Sequence, residues 1–135
     1  MMKNLITLIF SLVISFQSLA EFKPDFNKGI EAAQQGDYET ALLHWVTLAN
    51  EGDELAQYNL GVMYDGGIGV LKNDKSAVKW YTKAAEQGVA IAQSNLGVMY
   101  DEGLGVLEND KTAVKWYTKA AEQGHAMAQF NLGVS

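Results

Sequence analysis

The sequence predicts an all-α protein, a solenoid of stacked helix hairpins. Three observations predict it. Residues 53–88 and 89–124 are two copies of one 36-residue unit that differ only at positions 53, 54, 55, 58, 66, 68, 72 and 76. A period of 20 to 50 residues is the mark of a stacked array. Within each unit, two apolar-patterned stretches long enough for helices are separated by a Gly-rich loop, DGGIGVLKN or DEGLGVLEN. Asp74 and Asp110 stand where an N-cap carboxylate is needed, and Gly88 and Gly124 where a left-handed C-terminal residue is needed.

The elements follow in chain order. Met1 to Ala20 reads as an export leader. A weakly positive start carrying Lys3 precedes a twelve-residue apolar run, Leu5 to Phe16, and Ser18-Leu19-Ala20 supplies small residues for cleavage after Ala20. Twelve residues are too few to span a bilayer. The chain has no Cys, hence neither a lipid-attachment site nor disulfides, and export is expected to deliver a soluble protein held by packing alone. The part after Ala20 has nine Lys and sixteen Asp and Glu, a net charge near −7. Such a balance argues against nucleic acid and against anionic lipid. It favours basic partners.

In the unit 53–88 the first helix is expected over roughly Glu54 to Tyr64, with Leu55, Leu60, Val62 and Met63 among small residues. The second spans roughly Lys75 to Gln87 and carries Ala77, Val78, Trp80, Tyr81, Ala84 and Ala85. In the loop between them Gly66 becomes Glu102, whereas Gly67/Gly103 and Gly69/Gly105 recur and are expected at positive φ. Gly61, Gly97 and Gly133 fall inside first helices. There each costs roughly 1 kcal/mol relative to Ala, a loss that close helix approach would offset. The unit 89–124 repeats all of this. Residues 125–135 (HAMAQFNLGVS) begin a third copy, its first helix only.

The pattern carried by Ala56, Leu60, Gly61, Tyr64, Gly67, Gly69, Asp74, Ala77, Trp80, Tyr81, Ala84, Ala85 and Gly88, and again 36 residues on, resembles the Sel1-like repeat, a relative of the tetratricopeptide repeat. The resemblance covers about residues 53 to 135 and points to an exported bacterial member. Residues 21–52 match more loosely. Aligning Ala41 with Ala77 sets Trp45 on Tyr81, Ala49 on Ala85 and Gly52 on Gly88. Four loop residues are missing, so this unit resembles a tetratricopeptide pair with the tight turn QGDY. Lys28, Glu31, Gln34 and Gln35 are suited to keep its outer side soluble. Seven helices are expected in all.

The resemblance implies a right-handed superhelix whose first helices line a concave face. Carried over, the groove positions are Leu55, Tyr58, Val62 and Asp65 in one unit and Ile91, Ser94, Val98 and Asp101 in the next. The last unit gives Met127, Phe130 and Val134. Two of the eight differences, at 55 and 58, fall here. The expected surface is an apolar groove with an acidic edge, fit for a protein or peptide with apolar anchors and nearby Lys or Arg. The unpaired first helix at residues 125–135 offers a further expectation, self-association through that end.

Catalytic signals are weak, and no enzyme activity and no cofactor are expected. There is no Cys nucleophile and no metal-ligand cluster, and His44 and His125 lie on different helices. Ser76 to Lys79 spells S-x-x-K, the opening motif of serine β-lactamases, without the accompanying motifs. Cysteine-rich secreted relatives have been linked to β-lactam binding or hydrolysis. This chain lacks their cysteines. Two units identical at 28 of 36 positions scarcely supply the asymmetric set of groups that catalysis needs.

Overall fold

The computed structural model describes residues 22–133, so the leader expectation at residues 1–20 and the groove position Val134 lie outside the described residues. Seven helices follow one another: α1 Phe26–Gln34, α2 Tyr38–Asn50, α3 Glu54–Gly66, α4 Asp74–Glu86, α5 Ala90–Glu102, α6 Asp110–Glu122 and α7 Ala126–Asn131. Each packs chiefly on the one before and the one after it, which makes an α/α solenoid in which each unit rests on the next. The tight turn at residues 35–37 and the exposed Lys28, Glu31, Gln34 and Gln35 agree with the reading of the first pair.

Helix starts are fixed by short polar side chains. Asp25, Asp37 and Asp53 accept the N–H of Lys28, Thr40 and Ala56 at 3.1, 3.1 and 2.7 Å. In the repeats the caps are Asn73 and Asn109, whose Oδ1 atoms accept from Ser76 and Thr112 at 3.0 and 2.9 Å. This corrects the expectation for Asp74 and Asp110. They are the first helical residues, where a carboxylate faces the positive end of the helix dipole instead of capping it. α3 and α5 run two residues past the expected end and stop at Gly67 and Gly103, whose left-handed φ of 64° and 67° needs no Cβ. Gly69, Gly105, Gly88 and Gly124 also have positive φ, as expected. Gly133 does not lie in a helix. α7 ends at Asn131, and Gly133 has φ 69° with nothing within 4 Å of an added Cβ.

The core forms one cluster per junction. Ala32, Ala41, Trp45, Ala49, Ala56, Leu60, Met63 and Trp80 join the first two units. Ala77, Tyr81, Ala84, Ala85, Ala92, Leu96 and Met99 join the next two. Ala113, Tyr117, Ala120 and Ala128 close the last. Gly61 and Gly97 permit this packing. An added Cβ would stand 2.5 Å from Cε1 of Tyr81 or of Tyr117. The same place in the first unit pairs Gly29 with Trp45.

Glutamines join the units as a polar ladder. The side-chain amides of Gln57, Gln93 and Gln129 donate to the carbonyls of Ala49, Ala85 and Ala121, at 3.1, 3.1 and 3.3 Å. These carbonyls lie in the last turns of α2, α4 and α6, beyond the regular helical bonds, and each also accepts the N–H of the glycine three residues on, Gly52, Gly88 or Gly124. Gln87 donates to Gln57 Oε1 at 2.8 Å, and Gln123 to Gln93 Oε1 at 2.9 Å. Gln57 and Gln93 are buried, so their hydrogen bonds fix the register between units.

Candidate functional site

The expected groove positions divide into three groups. Leu55, Ile91 and Met127 are the second residues of α3, α5 and α7, and they stand 48%, 40% and 59% exposed. Phe130 is 77% exposed. Tyr58, Val62 and Val98 are half-buried, and the Tyr58 ring leans on Tyr81 with centroids 6.1 Å apart. Burial raises the Tyr58 phenol above its ordinary pKa. Ser94 is the correction. It is 2% exposed and lines no groove, because its short side chain stays below the level that Tyr58 reaches at the equivalent place.

The acidic edge is uneven. Asp65 accepts the Tyr81 hydroxyl at 3.1 Å, and Lys72 Nζ lies 3.9 Å from its Oδ1 and 3.2 Å from Asp74. Burial, followed by the Asp65 charge, drives the Tyr81 phenol far above the ordinary tyrosine range. In the next unit Lys72 is replaced by Glu108 and Gly66 by Glu102, so Asp101, Glu102, Glu108 and Asp110 lie close in sequence with no lysine among them. There burial, then Asp101 and Glu102, push Tyr117 up to about 12. By residue count, this stretch of the second unit carries two more carboxylates and one lysine fewer than its counterpart in the first.

A 210 Å³ cavity opens beside Val62, lined also by Ala33, Tyr38, Trp45, Asn59, Met63 and Ile68. It is smaller than the roughly 300–1,000 Å³ typical of small-molecule sites and suits a single anchoring side chain. A wider hollow of 420 Å³ lies on α2 alone, against Glu39, Thr40, Leu42, Leu43 and Val46.

The other singled-out residues have structural explanations. His44 is buried, accepts the Asp25 N–H on Nδ1 at 3.0 Å and packs on Phe22 with ring centroids 4.9 Å apart. His125 caps α7 through the Ala128 N–H at 3.4 Å. Lys79 Nζ lies 5.2 Å from the Trp80 ring centroid, and Ser76 sits in the first turn under the Asn73 cap. Among the described residues no hydrogen bond joins the two, and no group of His, Asp and Glu is arranged to hold a metal. No described helix is long and apolar enough to cross a membrane.

Stacked hairpins, two of them of one 36-residue length, joined through Ala, Gly and aromatic contacts, define a helical-repeat protein. The family model for the Sel1 repeat matches residues 54–89 and 90–125, more than half of the chain, which belongs to the Sel1 repeat family. Among solved structures, it is similar to a Sel1 repeat protein from Oxalobacter formigenes, with 47% identity and TM-score 0.77 over 81% of this chain and 45% of that one. It is also similar to c5321, described as a protective antigen of uropathogenic Escherichia coli strains with an SLR fold. That match has 38% identity and TM-score 0.77 over 80% of this chain and 24% of that one. Helicobacter pylori cysteine rich protein B gives 27% identity and TM-score 0.64, over 67% and 68% of the two chains. A sel1-like repeat-containing protein of Acanthamoeba polyphaga mimivirus is 56% identical over 36 residues, 27% of this chain and 6% of its own. The chain thus spans less than half the length of the first two structures and a small part of the viral protein. Sel1 repeat proteins are generally protein-interaction scaffolds and typically non-catalytic.

Proposed function

We propose that the chain is an exported scaffold that captures a partner protein on the face formed by α3, α5 and α7. The observation that carries this reading is the row Leu55, Ile91 and Met127. These are exposed aliphatic side chains at one repeat position, 36 residues apart, on the first helices, whereas the still more exposed Leu71 and Leu107 lie in the loops. Exposed apolar surface arranged in a row is what a partner with periodic apolar anchors covers. Val62 and its 210 Å³ cavity offer a seat for one anchor. The acidic residues at Asp101, Glu102 and Glu108 favour Lys or Arg beside the second. Export rests on the apolar run Leu5 to Phe16 and the small residues before Glu21. An amino terminus at Glu21 on protein recovered from the cell envelope would support it.

The test is photo-crosslinking in native cells, with the reactive group placed at position 91 or at position 118 on the outer side of α6. The reading expects one protein adduct from position 91, lost on Leu55→Asp, and none from position 118. Equal adducts from both positions would sink it. An adduct of twice the chain mass would replace the foreign partner with a second copy.

A further inference from the structure

Ten lysines and no arginine are present, and six of the lysines lie on two helices. Lys75, Lys79 and Lys83 on α4 recur as Lys111, Lys115 and Lys119 on α6. Spacing of i, i+4 and i+8 puts each trio on one helix face, with about 6 Å between successive side chains along the axis. All six are exposed. Among the described residues, the ion pairs within 4 Å belong to Lys72 and involve none of these. Asp74 and Asp110 open the two rows and Glu86 and Glu122 close them, so each helix carries three lysines and two carboxylates, with the carboxylates at its ends.

Two observations make the rows one surface. Trp116 of α6 packs on the cluster that α4 shares with α5, and the Gly105 backbone ahead of α6 meets Asp74 and Lys75 at the start of α4. The rows therefore lie side by side. Their positions are also held in place. Lys79 and Lys83 lie 5.2 and 5.9 Å from the Trp80 ring centroid, and Lys115 and Lys119 lie 6.0 and 5.8 Å from that of Trp116. The ammonium groups thus sit over the indole faces, a cation–π placement, on side chains that remain exposed.

We infer that this two-by-three lysine grid on the outer faces of α4 and α6 docks the protein on an anionic lipid surface. The net charge of −6 does not oppose this at short range. The Debye length is about 8 Å at physiological salt, while the helix-pair layer behind the grid is roughly 20 Å thick. A surface touching the grid therefore feels the lysines before the carboxylates behind them.

Lipid fits better than the other polyanions. The planar fork best suited to bidentate base and phosphate recognition is that of Arg, which this chain lacks. Single-strand binding needs exposed aromatic platforms, whereas Trp80 is buried, Trp116 is half-buried, and both rings lie under lysine ammonium groups. Half-exposed Val114, beside Lys111 and Lys115, gives the face an apolar contact that a bilayer interface accepts and a phosphate backbone does not use. This face lies on the second helices, apart from the row at Leu55, Ile91 and Met127, so both surfaces can be occupied together.

The test is flotation of the purified full-length protein with phosphatidylcholine vesicles, with and without phosphatidylglycerol. The measured quantity is the ratio of the two affinities, which cancels any contribution from Leu5 to Phe16. At roughly fivefold per lysine, the double variant Lys79→Gln with Lys115→Gln should lower that ratio about 25-fold. Its circular dichroism should be unchanged, and the single variant Lys23→Gln should leave the ratio alone. A ratio near one for the unaltered protein would overturn the inference, as would a ratio indifferent to the double variant. Duplex DNA bound in a grid-dependent manner with no preference for phosphatidylglycerol would overturn the lipid assignment.

Discussion

Replacing Gly97 by valine tests why α5 carries a glycine in mid-helix. A Cβ at this position would lie 2.5 Å from Cε1 and 2.6 Å from Cδ1 of Tyr117. Those atoms belong to a buried ring clustered with Ala113, Ala120 and Ala128, so no flexible end can swing aside. Two terms oppose each other. Removing the glycine gains roughly 1 kcal/mol of helix propensity for alanine and about half that for valine. Overpacking the junction costs about 1–3 kcal/mol, with the branched valine at the upper end. The net loss is about 0–2 kcal/mol for Gly97→Ala and about 2–3 kcal/mol for Gly97→Val. At about 4 °C per kcal/mol for a domain near this size, valine should lower Tm by roughly 10 °C. Thermal and urea unfolding followed by far-ultraviolet circular dichroism read this directly. Gly61→Val, against Tyr81, should behave alike. In a Tyr117→Val background the Gly97→Val loss should shrink by at least about 1 kcal/mol. An unchanged Tm would refute the close-approach account, and so would a full penalty that persists without the ring.

Three other outcomes follow from the same structure. Asn109→Ala should destabilise by about 1 kcal/mol, and Asp110→Ala by less, because it sits near Asp101, Glu102 and Glu108 and donates no cap; urea midpoints separate the two. Gln93→Leu removes the side-chain donor to the Ala85 carbonyl, which keeps the Gly88 N–H, and one of the two acceptors of Gln123, a loss of about 1–3 kcal/mol for the two hydrogen bonds, while Gln123→Leu at its exposed position should cost less. The third concerns alkali. The folded-state value for Tyr117, about 12, lies above the ordinary 10.0, so its contribution to stability is complete below pH 10 and is lost as pH rises to about 12. Unfolding monitored at fixed urea should therefore steepen through that window, and Tyr117→Phe should flatten it.

Much of the architecture was legible because the repeat is written twice. A 36-residue period, glycines at fixed offsets and small residues beside Trp and Tyr predict hairpin stacking before any coordinate is known. Single-residue detail was harder to read. Asn73 and Asp74 are adjacent and both have capping side chains, so the choice between them depends on where the backbone turns helical. Gly133 shares its sequence context with Gly61 and Gly97, yet α7 stops at Asn131. The aligned groove positions Tyr58 and Ser94 differ in depth because a long aromatic reaches the surface and a two-atom side chain does not. The lysine rows did have a sequence signal, the spacing 75, 79, 83 copied at 111, 115, 119. The net charge obscured it, because a sum over the chain carries no information about sides.

By itself the sequence determined the all-α class, the length of the unit, the places where helices start and stop to within a residue or two, and the close helix approach at Gly61 and Gly97, whose aromatic partners the structure supplied. These are consequences of short-range periodicity, which a linear chain records in full. Only the tertiary structure decided that Leu55, Ile91 and Met127 stay open while Ser94 is covered, that Asp65 is engaged by Tyr81 and Lys72, and that the lysines of α4 and α6 all stay exposed. Exposure and charge on a surface depend on what the neighbouring helices leave uncovered, and that follows from how the units pack in three dimensions.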